Sequence, residues 1–397
     1  MISLETYRDE GLIHSDVIVR ASSQYELASR NAATPEATKK LIEAIELYGH
    51  DLALPEQVFA PYAHDAETLS WLLEKLNTIS FPNNKIGRLF SERWLYWTNV
   101  CSAELAAEFA DKIAATKLAK SAKKYSEHIG DLQFNAKLAG SDLKQSVVTL
   151  NKWIAELHEL NLEPFFEKAK LDAMARHIAA QGGAGAEMIK NWLELRPDYD
   201  AYEPTLEELQ VEVVLSLLAE DSQTPVDLDA ILYWLEDVGA SQQMAHYALR
   251  RRMDKETTRH LIDNFAGYPK NIRSELTTLL CVNRDPSLRD SIWRLYEQEN
   301  DFEVLGEITS ILVAYGGEDF ESAAMEMFEL DGVDFADSLK FRIYTNRILS
   351  GEPFADQKQW QQQLSGYFDI DHVHAELNYE IDPDTGEEEG FFEGDDW

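Results

Sequence analysis

Apolar residues fall three and four positions apart along most of this chain, the spacing that gathers them on one face of a helix. Leu41, Ile42, Ile45, Leu47 and Tyr48 form one such stripe. It follows Thr34-Pro35-Glu36, where a hydroxyl cap, a first-turn proline and an early acid mark a helix start. Leu69, Leu72, Leu73 and Leu76 form a second stripe, in a helix expected from Asp65 to Leu76. A third helix is expected from about Asn83 to Val100, ending in Trp94-Leu95-Tyr96-Trp97. That end is apolar nearly all round, which predicts burial; the alternative is a partner-contact site anchored by Trp94, Tyr96 and Trp97. Farther on, Trp153, Leu157 and Leu160 make another inward stripe. Thr205 and Glu208 form a capping box ahead of Leu209, Val211, Val213 and Val214. From there helix starts recur near 226, 241, 255, 270, 286, 302, 318, 337 and 355, about fifteen residues apart, enough for three turns and a tight connection. Asp285-Pro286 reads as one start, and Gly239 and Gly316 read as stops. Residues 1–33 have no clear period and are expected to be an irregular lead-in, with Asp16 to Arg20 as a short strand or loop.

The helical pattern also repeats. Moved by 32 positions, residues 275–296 lie over 307–328: Glu275 on Glu307, Leu276 on Ile308, Thr277 on Thr309, Leu279 on Ile311, Leu280 on Leu312, Trp293 on Met325 and Tyr296 on Phe328. A shift of 31 places Leu261 under Ile292, Ile262 under Trp293 and Phe265 under Tyr296. A period in the low thirties with two helices per period is the mark of stacked helix pairs. The expected fold is all-α, built of antiparallel helix pairs, and it resembles the HEAT-type family of α-solenoid proteins, most clearly over 241–350. The resemblance implies an extended curved surface for binding proteins; a minority of such proteins bind nucleic acids or catalyse reactions. Arg196 to Pro204, polar and holding two prolines, is the best internal boundary. The expected organisation is a lead-in (1–33), an N-terminal helical region (34–200), a repeat array (205–366) and a tail (367–397).

Charge narrows the function classes. The chain has 397 residues, with 72 acidic and 36 basic side chains and a formal charge of −36. Such a surface repels phosphate backbones, disfavours direct nucleic-acid binding and steers basic partners. Over 101–160 acids and bases balance, and Lys112, Lys117, Lys120, Lys123 and Lys124 cluster there as a solvated face or a site for an acidic segment. Only two cysteines occur, Cys101 and Cys281, which fits a reducing cytosol. The first residues show no leader pattern and no apolar run approaches a membrane span, so a cytoplasmic protein is expected.

The tail has twelve acids and no Lys or Arg. Leu377, Tyr379 and Ile381 alternate with polar residues before Asp382-Pro383-Asp384-Thr385-Gly386, the composition of a small β-hairpin turn. Phe391, Phe392 and Trp397, set among acids, are candidate anchors for a partner. Asp369, Asp371, His372, His374 and Glu376 are the densest metal-ligand types, and His372 and His374 would share one face of a strand. The third ligand is undefined, so no cofactor is expected. Gly182-Gly183-Ala184-Gly185 before Lys190 has neither P-loop nor dinucleotide spacing and reads as a helix–helix loop. No nucleophile, base and oxyanion donor assemble. The leading expectation is a non-enzymatic protein-binding scaffold. An acidic decoy that occupies a nucleic-acid-binding protein is the alternative, and a metal-dependent enzyme using Asp369 to Glu376 is the third.

Overall fold

The computed structural model describes residues 2–30, 34–48, 66–78, 101–116, 119–120, 126–159, 168–197, 205–220, 224, 226–236, 240–316, 322, 324, 333–352 and 356–366. These residues are helical, with turns and short connections between helices and no strand among them. The protein is all-α over this extent. The N-terminal half holds α1 (Val17–Ser29), α2 (Pro35–Tyr48), α3 (Ala66–Thr78), α4 (Ala103–Ala114), α5 (Ser126–Leu138), α6 (Leu143–Glu159), α7 (Lys168–Ala180) and α8 (Ala184–Leu193). The C-terminal half holds α9 (Leu206–Glu220), α10 (Leu228–Tyr233), α11 (Ala240–Arg251), α12 (Lys255–Asn264), α13 (Lys270–Leu280), α14 (Arg289–Gln298), α15 (Phe302–Tyr315), α16 (Val333–Ser350) and α17 (Gln357–Ser365).

Local chemistry sets many of these boundaries. At the start of α9 the Glu208 amide donates to Thr205 Oγ1 (3.2 Å), and the Glu208 carboxylate accepts from the Thr205 amide, a reciprocal box. Asp254 accepts from the Thr257 amide (2.7 Å), Asp285 from Ser287 (2.8 Å) and Asp301 from Glu303 (3.2 Å), capping α12, the short turn ahead of α14, and α15. Gly316 ends α15 at φ 74°, donating its amide to Leu312 O (3.2 Å). Gly182 (φ 66°) and Gly183 (φ 51°) turn α7 into α8, so this glycine run is a helix–helix connection. Gly185 then passes so close to α7 that a Cβ there would lie 2.3 Å from the Ile178 carbonyl oxygen. Gly185→Ala is expected to destabilise the protein by about 1–3 kcal/mol through overpacking. A lowered urea midpoint against wild type checks this, and an unchanged midpoint counts against the α7–α8 contact.

The helices of the C-terminal half pack in a row. α9 packs on α11, α11 on α13, α13 on α15 and α15 on α16. The intervening α12 and α14 pack on each other and flank that row. Leu276, Thr277, Leu279 and Leu280 are buried, and so are their counterparts Ile308, Thr309, Ile311 and Leu312. Leu261 and Ile292 match in the same way. One contiguous core runs from Ala103 through Leu150, Ile178, Leu193, Trp234 and Leu279 to Tyr315. Thus α4 to α8 share a core with the repeated helices, without an apolar break at Arg196.

Two expectations change. Residues 17–29 are a helix, not a strand or an irregular lead-in. Its period is hard to see because much of its buried surface is polar: Arg20, Ser22, Ser23, Gln24 and Glu26 are all buried. Leu47, placed on the inward stripe of α2, faces solvent at 67% exposure, while Ala37 and Ala44 are buried. A helix turns about 100° per residue, and Leu47 is three positions from Ala44 on the rim of that face. The tail, including the expected hairpin, lies outside the described residues.

Candidate functional site

The row of helices carries a polar ladder between helices about thirty residues apart. Glu275 on α13 accepts from Gln242 Nε2 (3.3 Å) and meets His246 Nδ1 (3.0 Å), both on α11. One layer on, Glu307 on α15 accepts from Ser274 Oγ (2.7 Å) and Thr277 Oγ1 (2.9 Å) of α13. Burial pushes the Glu307 carboxyl above the ordinary carboxylate value, against the pull of its two hydroxyl donors. At the helix starts, Lys255 reaches Asp285 (2.8 Å) and Lys270 reaches Asp301 (3.1 Å). Each pair joins an element to the one about thirty residues on.

A buried ionic centre joins the start of the chain to this row. Glu26 on α1 accepts from Arg342 Nε of α16 at 2.7 Å. Its other oxygen lies 2.5 Å from Arg284 Nη2, just after α13, as an ion pair without hydrogen-bonding geometry. Both the Glu26 and Arg284 side chains are 1% exposed. Arg342 Nη1 also donates to Ser310 O (2.9 Å) and Ser310 Oγ (2.8 Å), and Arg284 donates to the Cys281 and Ala314 carbonyls. Burial opposes the charge on Glu26, but Arg284 and Arg342 hold its carboxyl down at about 2. Around the centre, Tyr7 Oη donates to Asn346 Oδ1 (2.5 Å) and Tyr344 Oη to Asp16 Oδ2 (2.6 Å). Ile18 and Val19 pack with Tyr344 and Leu364. α1, α16 and α17 are therefore neighbours.

One cavity adjoins the end of α1, and a second lies between α4, α5 and α7. The larger, about 730 Å³, lies between Leu4 and Arg30 on one side and Arg251, Arg252, Arg284 and Asp285 on the other. The smaller, about 320 Å³, is lined by Cys101, Asn135, Ser141, Arg176, His177 and Gln181. Its residues invite a nucleophile reading, which the geometry does not support. Burial pushes the Cys101 thiol up to about 12, so it stays protonated. Ser141 donates its hydroxyl to the Leu138 carbonyl (2.9 Å), leaving only its oxygen toward His177 Nε2 (3.1 Å). The same His177 nitrogen also meets the Gln181 side-chain amide (2.6 Å), so it is not a free base toward Ser141.

The other expected features divide into those described and those not. Cys101 and Cys281 are buried and unpaired with each other. His260 is exposed. Lys112 is exposed, 3.4 Å from Glu108 and over the Phe109 ring. Trp94, Tyr96, Trp97, Phe391, Phe392, Trp397, Asp369, Asp371, His372, His374 and Glu376 all lie outside the described residues. Among the described residues no three His, Cys, Asp or Glu side chains gather as a metal site would require. No described helix is long and apolar enough to cross a membrane. Sequence reasoning missed the Glu26 centre and the arginine-lined cleft. Glu26 and Arg342 are 316 positions apart, and no local pattern records such a pairing.

No family model matches this sequence, and no curated protein or solved structure matches it.

Proposed function

We propose that this chain is a HEAT-type helical-repeat protein and works as a non-enzymatic scaffold, binding protein partners on the surface of its stacked helices. The observation that supports this most is the recurrence of one buried pattern and one glutamate ladder at the 32-residue step from Glu275 to Glu307. Repeats of this kind spend their apolar residues on neighbouring layers and leave long outer surfaces available. The charge of −36 favours a basic partner, whose approach would be steered and salt-dependent. Trp94, Tyr96 and Trp97, and separately Phe391, Phe392 and Trp397, are the aromatic anchors to test, since truncating an anchor costs the most binding.

The test is capture from source-cell lysate with the full chain, followed by cross-link mapping of the captured complex. Three chains are compared: wild type, one with Trp94, Tyr96 and Trp97 changed to alanine, and one with Phe391, Phe392 and Trp397 changed to alanine. The expected result is a basic protein, weakened by added salt and cross-linked within 205–366. A chain that captures nothing above background, yet consumes a small-molecule substrate, would end the scaffold reading.

A further inference from the structure

The larger cavity carries an unexpected charge. In a chain with twice as many acids as bases, its lining brings together Arg30, Arg251, Arg252 and Arg284 against two acids, Asp254 and Asp285. Both acids are already engaged, Asp254 capping Thr257 and Asp285 capping Ser287 while paired with Lys255. Glu26, behind the cleft, is shared between Arg284 and Arg342.

The four guanidinium groups are used differently. Arg252 donates to the Leu218, Ala248 and Thr224 carbonyls, and Arg284 to those of Cys281 and Ala314. These two are fixed in place by the ends of neighbouring helices. Arg251 commits its Nε to Ala219 O (3.0 Å), and no hydrogen bond of its two terminal nitrogens is found among the described residues. Arg30 Nε and Nη1 are buried and have no hydrogen-bond partner among the described residues. Leaving charged donors unmade in a buried place is costly, and a guanidinium offers five of them in a planar fork. Burial, and then the nearby Arg284 charge, lower the pKa of Arg30, which marks a cation short of negative charge.

We propose that this cleft binds a small multivalent oxyanion, a molecule bearing phosphate or clustered carboxylates, with Arg30 and Arg251 as donors and Arg252 and Arg284 as fixed charges. Guanidinium forks match both kinds of oxyanion. The volume of about 730 Å³ suits a small ligand. An acidic macromolecule is disfavoured because its whole charge would meet that of this chain, whereas a compact anion brings only a few charges to the arginines. Since Arg30 follows α1 and Arg251 ends α11, the ligand would also bridge the start of the chain to the repeated helices.

The experiment is calorimetric titration of the full chain with pyrophosphate and, separately, with citrate, against chloride at matched ionic strength. Saturable one-to-one binding of either anion above the chloride control is expected. Pyrophosphate alone would identify a phosphoryl ligand and citrate alone a carboxylate. Arg30→Gln and Arg251→Gln should each weaken binding by about tenfold or more. Arg251→Lys, which keeps the charge and loses the fork, should weaken it as well, and it serves as the second variant if Arg30→Gln fails to fold. Absence of saturable binding by both anions would overturn the proposal. So would binding that Arg251→Lys and a folded Arg30→Gln both leave unchanged.

Discussion

Glu26→Ala is expected to cost about 3–5 kcal/mol of stability, the loss typical of removing one partner from a buried ion pair. The cause is the pair of cations left behind. Arg284 is buried and Arg342 nearly so, and both guanidinium groups also hold carbonyls of the repeated helices, so neither can swing out to water. Glu26→Gln should cost less than Glu26→Ala, since an amide oxygen can still accept from Arg342. The same centre predicts a pH dependence. The folded-state carboxyl sits at about 2 against an ordinary value of 4.5. Its contribution is therefore fully present above pH 4.5 and is lost as the pH falls toward 2. Urea midpoints of wild type and Glu26→Gln, taken between neutral and acid pH, should differ most near neutrality and converge below pH 4.5. A gap that does not change with pH would show that Glu26 is not the buried anion described here.

Trp234→Ala should be comparably severe, at about 3–5 kcal/mol. Trp234 is 1% exposed, and its indole Nε1 donates to the Leu193 carbonyl (3.2 Å) at the end of α8. Its ring meets Tyr233 edge-on, and Arg196 lies over both rings. The residue thus pins α8 to the repeated helices at the sequence's best internal boundary. Trp234→Ala removes the largest fully buried side chain among the described residues and takes one of two donors, the other being Arg196 Nη1, from that carbonyl. Trp234→Phe keeps most of the volume and should recover part of the loss. If α4 to α8 formed an independent domain, Trp234→Ala would destabilise only one of two unfolding transitions. A shared core predicts that both halves loosen together, and fluorescence and far-UV circular dichroism melts of the full chain distinguish the two results.

Much of the C-terminal half was legible because its signals are local. Starts expected near 241, 255, 270 and 302 correspond to helices beginning at Ala240, Lys255, Lys270 and Phe302. Caps such as Asp285 and the Thr205–Glu208 box act over two or three residues, and burial at Leu276 to Leu280 follows a period the sequence displays. The start of the chain was not legible, for an opposite reason. α1 buries Ser23, Gln24 and Glu26, and Glu26 pairs with Arg342, 316 positions away, so its inward face does not look apolar. Likewise the arginine-lined cleft draws on Arg30, Arg251 and Arg284, which are unremarkable singly and meaningful only when folding assembles them. Leu47 shows the converse error, an apolar residue at helical spacing that ends on the outer rim.

In the proposed stacking at a step of 31–32 residues, α1 is seated on α16 through Glu26. Hydrogen exchange of the full chain, resolved to peptides by mass spectrometry, tests this most directly. It should show α1 as slow to exchange as α13 and α15, with α1 and α16 losing protection together in Glu26→Gln. Fast exchange of α1 in the wild-type chain, alongside slow exchange in α13 and α15, would contradict it.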